Sequence, residues 1–170
     1  MDNKQKIDLL TDQLNRLLGF FPRVDAKSSV VLGVDVTMLA LMAINAPPVK
    51  QLEGYMIFAV IAVLLLGGSL WHLYLQSFPR LEGGQQSLIY FQAIADRTEI
   101  KYAEEMAAIT EEAYIKDLQS QIWRNSEILK AKYSQLKYSF IFLAWAIVPW
   151  LTSLTMFAIK NTEAKTLLMK

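Results

Sequence analysis

Three long apolar stretches constrain this chain of 170 residues more than any other feature. They run over residues 24–46, 55–78 and 138–159, and the segments around them hold nearly all of the charge. A helix needs about 20 apolar residues to cross a hydrocarbon core of roughly 30 Å. Because 54% of the residues are hydrophobic and only 19% are charged, the composition is also too apolar for an ordinary soluble domain. The sequence therefore predicts an all-α membrane protein with about three transmembrane helices.

The organisation of the chain follows from these stretches and the segments between them. Residues 1–21 are predicted to form an amphipathic helix, which lies on a membrane surface or against partner helices and is ended by Pro22. Its apolar face consists of Ile7, Leu10, Leu14, Leu17 and Leu18. The remaining segments are a transmembrane hairpin at 22–78, a cytosolic helical, coiled-coil-like region at 79–137, a third transmembrane helix at 138–159 and a tail at 160–170.

Two apolar stripes in the charged region differ in phase by about two residues, roughly half a helical turn. The first contains Tyr102, Met106, Ile109 and Ala113, and the second contains Ile115, Leu118, Ile122, Leu129 and Leu136. A single straight helix would present a different face in each half. Either the helix breaks near Tyr114, or one long helix contacts different partners along its length.

The distribution of Lys and Arg predicts the orientation in the membrane. Residues 1–27 hold five of them and residues 79–137 hold eight, whereas the turn between the first two stretches holds only Lys50. The positive-inside rule then places the N-terminus and the charged helical region in the cytosol of a multi-pass protein. A third crossing would place Lys160, Lys165 and Lys170 of the tail outside the cytosol, against the rule. The alternative is that residues 138–159 form a re-entrant or peripheral helix, which would leave the tail in the cytosol.

One carboxylate, Asp35, lies within the first apolar stretch. It is about 12 Å along the helix axis from Lys27, deep enough that an isolated charge would cost on the order of 2.5 to 3.5 kcal/mol. We therefore expect it to face other helices, and His72 lies at a similar depth in an antiparallel hairpin. A contact between Asp35 and His72, within or between subunits, is predicted; the alternatives are a tolerated polar residue near the interface and an interfacial His72 ring. Gly67, Gly68 and Ser69 allow close approach of a neighbouring helix.

The charged region offers candidates for binding an anionic ligand with an aromatic base. The predicted ligand-binding residues are Arg80, Tyr90, Phe91, Arg97, Arg124, Lys130 and Lys132. The competing interpretation is a solvated helix face. No glycine-rich phosphate-binding motif accompanies these residues, so neither a Walker site nor a dinucleotide site is predicted, and no cofactor is expected.

Several classes of function are disfavoured by composition. A net charge of +1 gives no overall bias toward nucleic acid. The chain has no Cys and one His, and its paired glutamates at 104–105 and 111–112 lack a neighbouring His, so no metal site is expected. We expect no catalytic residues because no Ser, His and acid are arranged for nucleophilic catalysis. An enzyme is therefore not predicted.

The order of the motifs resembles the membrane effectors of bacterial Pycsar anti-phage defence, the Pycsar effector family. The matching features are Asp25, Lys27 and Ser29 at the start of the first span, the sequence FPR at 78–80, IYF at 89–91, and the helix at 121–137 that runs directly into a span. The resemblance covers nearly the whole chain. Ser28 stands where the family usually has Ala, and Asp35 stands where a small or amide residue is more usual.

This resemblance implies an effector of the bacterial inner membrane that is silent until an infection-triggered nucleotidyl cyclase makes a cyclic nucleotide, its candidate ligand. We further predict that the effector is homo-oligomeric. The effector would then oligomerise or rearrange, form a pore or otherwise impair the membrane, and stop growth of the infected cell, an abortive infection. Asp25 would favour the positive end of the helix dipole and Lys27 would reach lipid phosphates, and both could couple the cytosolic helices to the spans. The alternatives are a scaffold or regulatory subunit of a membrane complex and a small ion channel.

Overall fold

The computed structural model describes residues 2–47, 54, 56–78 and 86–168. Within this part of the chain the structure is helical, with no strand. Its helices are α1 (Asn3–Leu18), α2 (Phe20–Asn45), α3 (Met56–Ser77), α4 (Phe91–Ala95), α5 (Glu99–Ala108) and α6 (Glu111–Leu168). The stretches Asn3–Asn45, Met56–Ser77 and Glu111–Ala164 are long and apolar enough to cross a membrane. The predicted all-α membrane fold is thus confirmed.

Some predicted features fall outside the described residues. These are Pro48 and Lys50 in the turn, Tyr55 at the start of the second span, Pro79 and Arg80 after it, and the side chains of Lys165 and Lys170.

The joint between α1 and α2 is a single residue, Gly19. Its backbone N–H donates to the carbonyl of Asn15 at 3.0 Å and closes the last turn of α1. Because α2 begins at Phe20, Pro22 lies in the first turn of that helix, where a missing N–H removes no helical hydrogen bond. The prediction that Pro22 ends the amphipathic helix is therefore wrong.

The chain divides into two compact units. The first unit consists of Met1–Val24 and Phe78–Lys132, and the second consists of Asp25–Ser77 and Tyr133–Lys170.

The first unit has an apolar core in which α1 packs against the beginning of α6. Leu10 and Leu14 of α1 contact Ile115 and Leu118 of α6, and all four are buried. Partly buried residues surround this cluster: Ile7, Ile89, Tyr114 and Ile122. Ile7, Leu10 and Leu14 of the predicted amphipathic face therefore pack against a helix of the same chain, whereas Leu18 is 42% exposed.

A break in the helical region lies between α5 and α6. Ile109 leaves the helix with extended backbone angles (φ −66°, ψ 135°). Thr110 then starts α6, since its hydroxyl oxygen accepts from the backbone N–H of Ala113 at 3.2 Å. The break falls close to Tyr114, where the two apolar stripes change phase. None of the residues of α5 is buried, so its stripe lies outside the core.

The second unit is built on a seam of buried residues that repeats every seven positions along three helices. Successive buried positions on α2 and α3 are three or four residues apart, as in coiled coils, and those on α6 are three, four or seven residues apart. They are Ser28, Val31, Asp35, Met38 and Met42 on α2, Ala62, Leu66, Ser69, Leu73 and Gln76 on α3, and Leu136, Ser139, Ala146, Ser153 and Phe157 on α6. The opposite faces expose large apolar side chains, among them Val30, Leu64 and Val148. Such a surface suits lipid rather than water.

A glycine permits close packing between α3 and α6. A β-carbon on Gly68 would lie 2.6 Å from Cδ1 of Phe142, so the phenyl ring occupies the space that a side chain would need. The neighbouring Gly67 faces open space instead. α6 continues without interruption through Pro149.

Candidate functional site

A buried hydrogen-bonded cluster centred on Asp35 joins the three helices of the second unit. Asp35 has no exposed surface, and its Oδ2 accepts from the Ser69 hydroxyl at 2.6 Å. The oxygens of Ser69 and Ser139 are 2.9 Å apart. Since a serine hydroxyl has a single proton, which Ser69 gives to Asp35, Ser139 must be the donor in the second bond. Oδ1 of Asp35 has no hydrogen-bond partner among the described residues.

His72 faces α6 rather than α2. Its Nδ1 is 2.7 Å from the Gln135 side-chain oxygen, and its ring stacks on Tyr138 with the ring centroids 5.3 Å apart. The predicted contact between Asp35 and His72 is therefore wrong for a single chain. Ser69 and Gln76 lie seven residues apart and both face α2, whereas His72 is three residues from Ser69 and is rotated about 60° from it.

A second polar pair lies near the end of α3. The Ser28 hydroxyl donates to the Gln76 side-chain oxygen at 2.6 Å, and both residues are buried. The amide nitrogen of Gln76 has no partner within the part of the chain that the structure describes. Together with the Asp35 cluster, this pair places polar residues at two levels of the seam, with the buried apolar residues Val31 and Leu73 between them. We call these two levels the polar part of the seam.

The seam becomes apolar immediately beyond Asp35. Met38, Leu66 and Ala146 form a buried cluster, which we call the apolar layer. Trp150 packs against it, and its indole N–H donates to the Met38 carbonyl at 3.0 Å. Further along, the Asn161 side-chain amide donates to the Asn45 carbonyl at 3.1 Å. The apolar layer therefore separates the polar part of the seam from the polar end of α2.

The two residues predicted to couple the cytosolic helices to the spans lie in the second turn of α2. Both are exposed. The Lys27 ammonium lies 6.0 Å from the centroid of the Tyr133 ring of α6. The Asp25 carbonyl accepts from the Ser29 hydroxyl at 3.0 Å, a contact within one helix.

In the first unit, Arg97 is committed to contacts within the chain. Its side chain is only 10% exposed and pairs with Glu105, with Nε and Oε2 2.7 Å apart. Its Nη1 also donates to the carbonyls of Ser87, at 3.1 Å, and Ala93. The guanidinium thus fastens the segment before α4 to α5, which is a structural use of the charge predicted to bind a ligand.

Arg80 lies outside the described residues, and the remaining predicted ligand-binding residues lie on α4, on α6 and beside α4. The rings of Tyr90 and Phe91 meet edge to face with centroids 4.9 Å apart, and Phe91 is 65% exposed. Arg124 lies 3.6 Å from the Glu127 carboxylate. Lys130 is exposed and Lys132 is half-buried. Of these residues, Tyr90 and Phe91 are in direct contact with each other.

Sequence reasoning missed three polar residues that hold the Tyr90 segment in place. The Ser87 hydroxyl oxygen accepts from the backbone N–H of Tyr90 and from the Gln121 amide, at 3.0 and 3.1 Å. Oδ2 of Asp117 accepts from the backbone N–H of Leu88 at 2.8 Å. The one available signal was the spacing of Asp117 and Gln121, four residues apart beside the apolar stripe of α6.

A family model described as the Pycsar effector protein domain matches residues 9–159. Neither the comparison with curated proteins nor the comparison with solved structures found a match.

Proposed function

Because the chain belongs to the Pycsar effector family, we propose that it is a non-enzymatic membrane effector that impairs the inner membrane of an infected bacterium in response to a cyclic nucleotide. The match to the family over residues 9–159 carries this proposal. A nucleotidyl cyclase would be its functional partner, since it supplies the signal. The arrest of the infected cell would follow from loss of the membrane barrier.

The seam of the second unit supports the mechanism. Its polar groups, led by Asp35, are buried against other helices, while the surface around them is apolar. Exposing a carboxylate to lipid is costly, but exposing it to water or to a second polar surface is not. A rearrangement or oligomerisation that separates the helices would therefore be stabilised by water entering along the seam. In this proposal the resting state is the closed bundle and the homo-oligomer is the active one.

The signal would be received by the first unit. Tyr90, Phe91, Arg124, Lys130 and Lys132 remain the proposed ligand contacts, together with Arg80. The exposed ring of Phe91 is available for stacking on a base. Arg97 would position this segment through Glu105 rather than contact the ligand. Asp25 and Lys27 would transmit the change to the spans.

The charge distribution supports an N-terminus in the cytosol. In that orientation the first unit meets the nucleotide in the compartment where a cyclase would make it.

The test is release of contents from liposomes that hold the purified full-length protein, with a panel of cyclic nucleotides added one at a time. An entrapped dye and an entrapped potassium gradient are followed in parallel. Loss of either one with a single nucleotide is the expected result. Retention of both with every nucleotide, in protein shown to be folded and inserted, would contradict the proposal.

In cells, Asp35→Leu is expected to change the toxicity that follows activation. The matched control is Val36→Leu, because Val36 neighbours Asp35 and is 53% exposed on the lipid-facing side. Equal toxicity of the two variants, at equal membrane abundance, would argue against a role for Asp35.

A further inference from the structure

We propose that the activated protein conducts monovalent cations, the proton included, along the seam of the second unit, with Asp35 selecting the cation and the apolar layer closing the path at rest. This inference rests on the proposed function and assigns it a permeating species and a gate.

The polar part of the seam contains two buried atoms that lack partners. Oδ1 of Asp35 and Nε2 of Gln76 have no hydrogen bond among the described residues, although Asp35 is 0% and Gln76 only 2% exposed. Buried polar groups in membrane proteins are nearly always satisfied, by protein or by water. On α3, Gln76 and Ser69 are separated by a rise of about 10.5 Å. These unpartnered atoms therefore provide one acceptor and one donor for water or an ion at two levels of the same seam.

The charge of the seam favours cations. Asp35 is the only Asp, Glu, Lys or Arg in the sequence of residues 28–46, 55–78 and 138–159. Carboxylates that line a pore attract cations and repel anions. The hydroxyl oxygens of Ser69 and Ser139 lie in the same cluster and add uncharged oxygen ligands.

The apolar layer is placed to act as the gate. Met38, Leu66 and Ala146 are at most 6% exposed and directly follow the Asp35 cluster along the seam. The next seam residues, Met42 and Ala62, are also buried. A narrow apolar constriction excludes water and hence blocks ions. Separation of the helices at this layer would join the polar part of the seam to the region of Asn45 and Asn161.

The first arm of the test measures selectivity in liposomes holding the full chain and the activating nucleotide. Potassium and proton fluxes are expected, with chloride about tenfold slower and the dye retained. Asp35→Asn should abolish the preference for cations over chloride, and Asp35→Glu should retain it. Passage of chloride or dye as fast as potassium would overturn the inference while leaving the proposed function intact.

The second arm tests the gate without any nucleotide, so it does not depend on the signal. Leu66→Ser places a hydroxyl in the apolar layer and is expected to give potassium flux in the absence of a ligand. The matched control is Leu64→Ser, which changes a residue of the same helix that is 68% exposed. This control should show no potassium flux in the absence of a ligand. Equal flux through the two variants, or none through Leu66→Ser, would overturn the gate. A third outcome is potassium flux through Leu66→Ser when no nucleotide causes flux through the unsubstituted protein. That result would contradict the proposed nucleotide signal but would support the cation path.

Discussion

The two units of this protein differ in where their polar and apolar side chains lie. In the first unit Leu10, Leu14 and Leu118 are buried together. In the second, Asp35 and Ser69 are completely buried. Large apolar side chains cover the outside of the second unit instead. The comparison shows that burial has a different physical basis in each: removal of apolar surface from water in the first, and packing with hydrogen bonding in a lipid solvent in the second.

The largest effect that would test this comparison is expected in the first unit, from Leu118→Ala. Leu118 is 2% exposed in the α1–α6 core, so its truncation should lower the free energy of unfolding by about 2 to 5 kcal/mol. Chemical denaturation followed by helical circular dichroism would measure the loss. Leu9→Ala is the control, because Leu9 is 55% exposed and a surface change should stay within about 0.5 kcal/mol. Similar losses in both variants would mean that α1 does not pack as described.

A smaller effect is expected from Arg97→Met. The substitution removes the Glu105 ion pair and two bonds to backbone carbonyls, and charged hydrogen bonds of this kind contribute about 1.5 to 3 kcal/mol. Faster amide hydrogen exchange over residues 87–105 would report it. Lys101→Met provides the control, since Lys101 is 64% exposed and lies 3.8 Å from the same Glu105, a contact of about 0 to 1 kcal/mol. Equal exchange in the two variants would show that Arg97 does not hold this segment.

Within the second unit, Gly68→Ala should lower stability by about 1 to 3 kcal/mol, because the added methyl overlaps the Phe142 ring. Thermal melting in detergent would measure the change. Gly67→Ala adds the same methyl group where no atom lies within 4 Å, and should leave the melting temperature nearly unchanged. The double variant with Phe142→Leu is expected to recover part of the loss. If Gly67→Ala were the more damaging change, the assignment of the inner and outer faces of α3 would be incorrect.

The smallest expected effect is that of Ser28→Ala, which removes the donor to the Gln76 oxygen and should cost about 1 kcal/mol. Ser29→Ala is the matched control, since the exposed Ser29 hydroxyl donates to the Asp25 carbonyl of its own helix. Melting in detergent should separate the two variants. Identical melting temperatures would show that the Ser28–Gln76 hydrogen bond does not stabilise the protein.

The sequence predicted the helices of the fold well where apolar residues recur at helical spacing. The spacing of Leu10 and Leu14 predicted the packed face of α1, and the phase change near Tyr114 coincides with the break before α6. Pro22 was wrongly predicted to end the amphipathic helix, because proline is compatible with the first turn of a helix as well as with a helix end. The helix at 121–137 was predicted to run directly into a span, and α6 is indeed continuous through residues 132–138, since a change from charged to apolar residues marks a change of solvent and not the end of a helix.

The candidate site was predicted in part. The depth of Asp35 indicated that it would be buried between helices, but depth alone does not tell which way a side chain points around the helix axis. The seven-residue repeat does: from the pair Ser28 and Gln76, seven residues forward in α2 and seven back in α3 lead to Asp35 and Ser69. The ligand-binding residues stay predictions, apart from the observation that Arg97 already has partners in the chain.

The seven-residue repeat of the seam has a mechanical consequence. An α-helix has 3.6 residues per turn, so straight helices would turn such a seam away from its partners by about 20° in every heptad. Over the two heptads from Ser28 to Met42 this drift would reach about 40°, and a left-handed winding of the helices around one another would compensate for it. Untwisting the bundle would therefore turn the two ends of the seam away from their partners before its middle, where Asp35 lies.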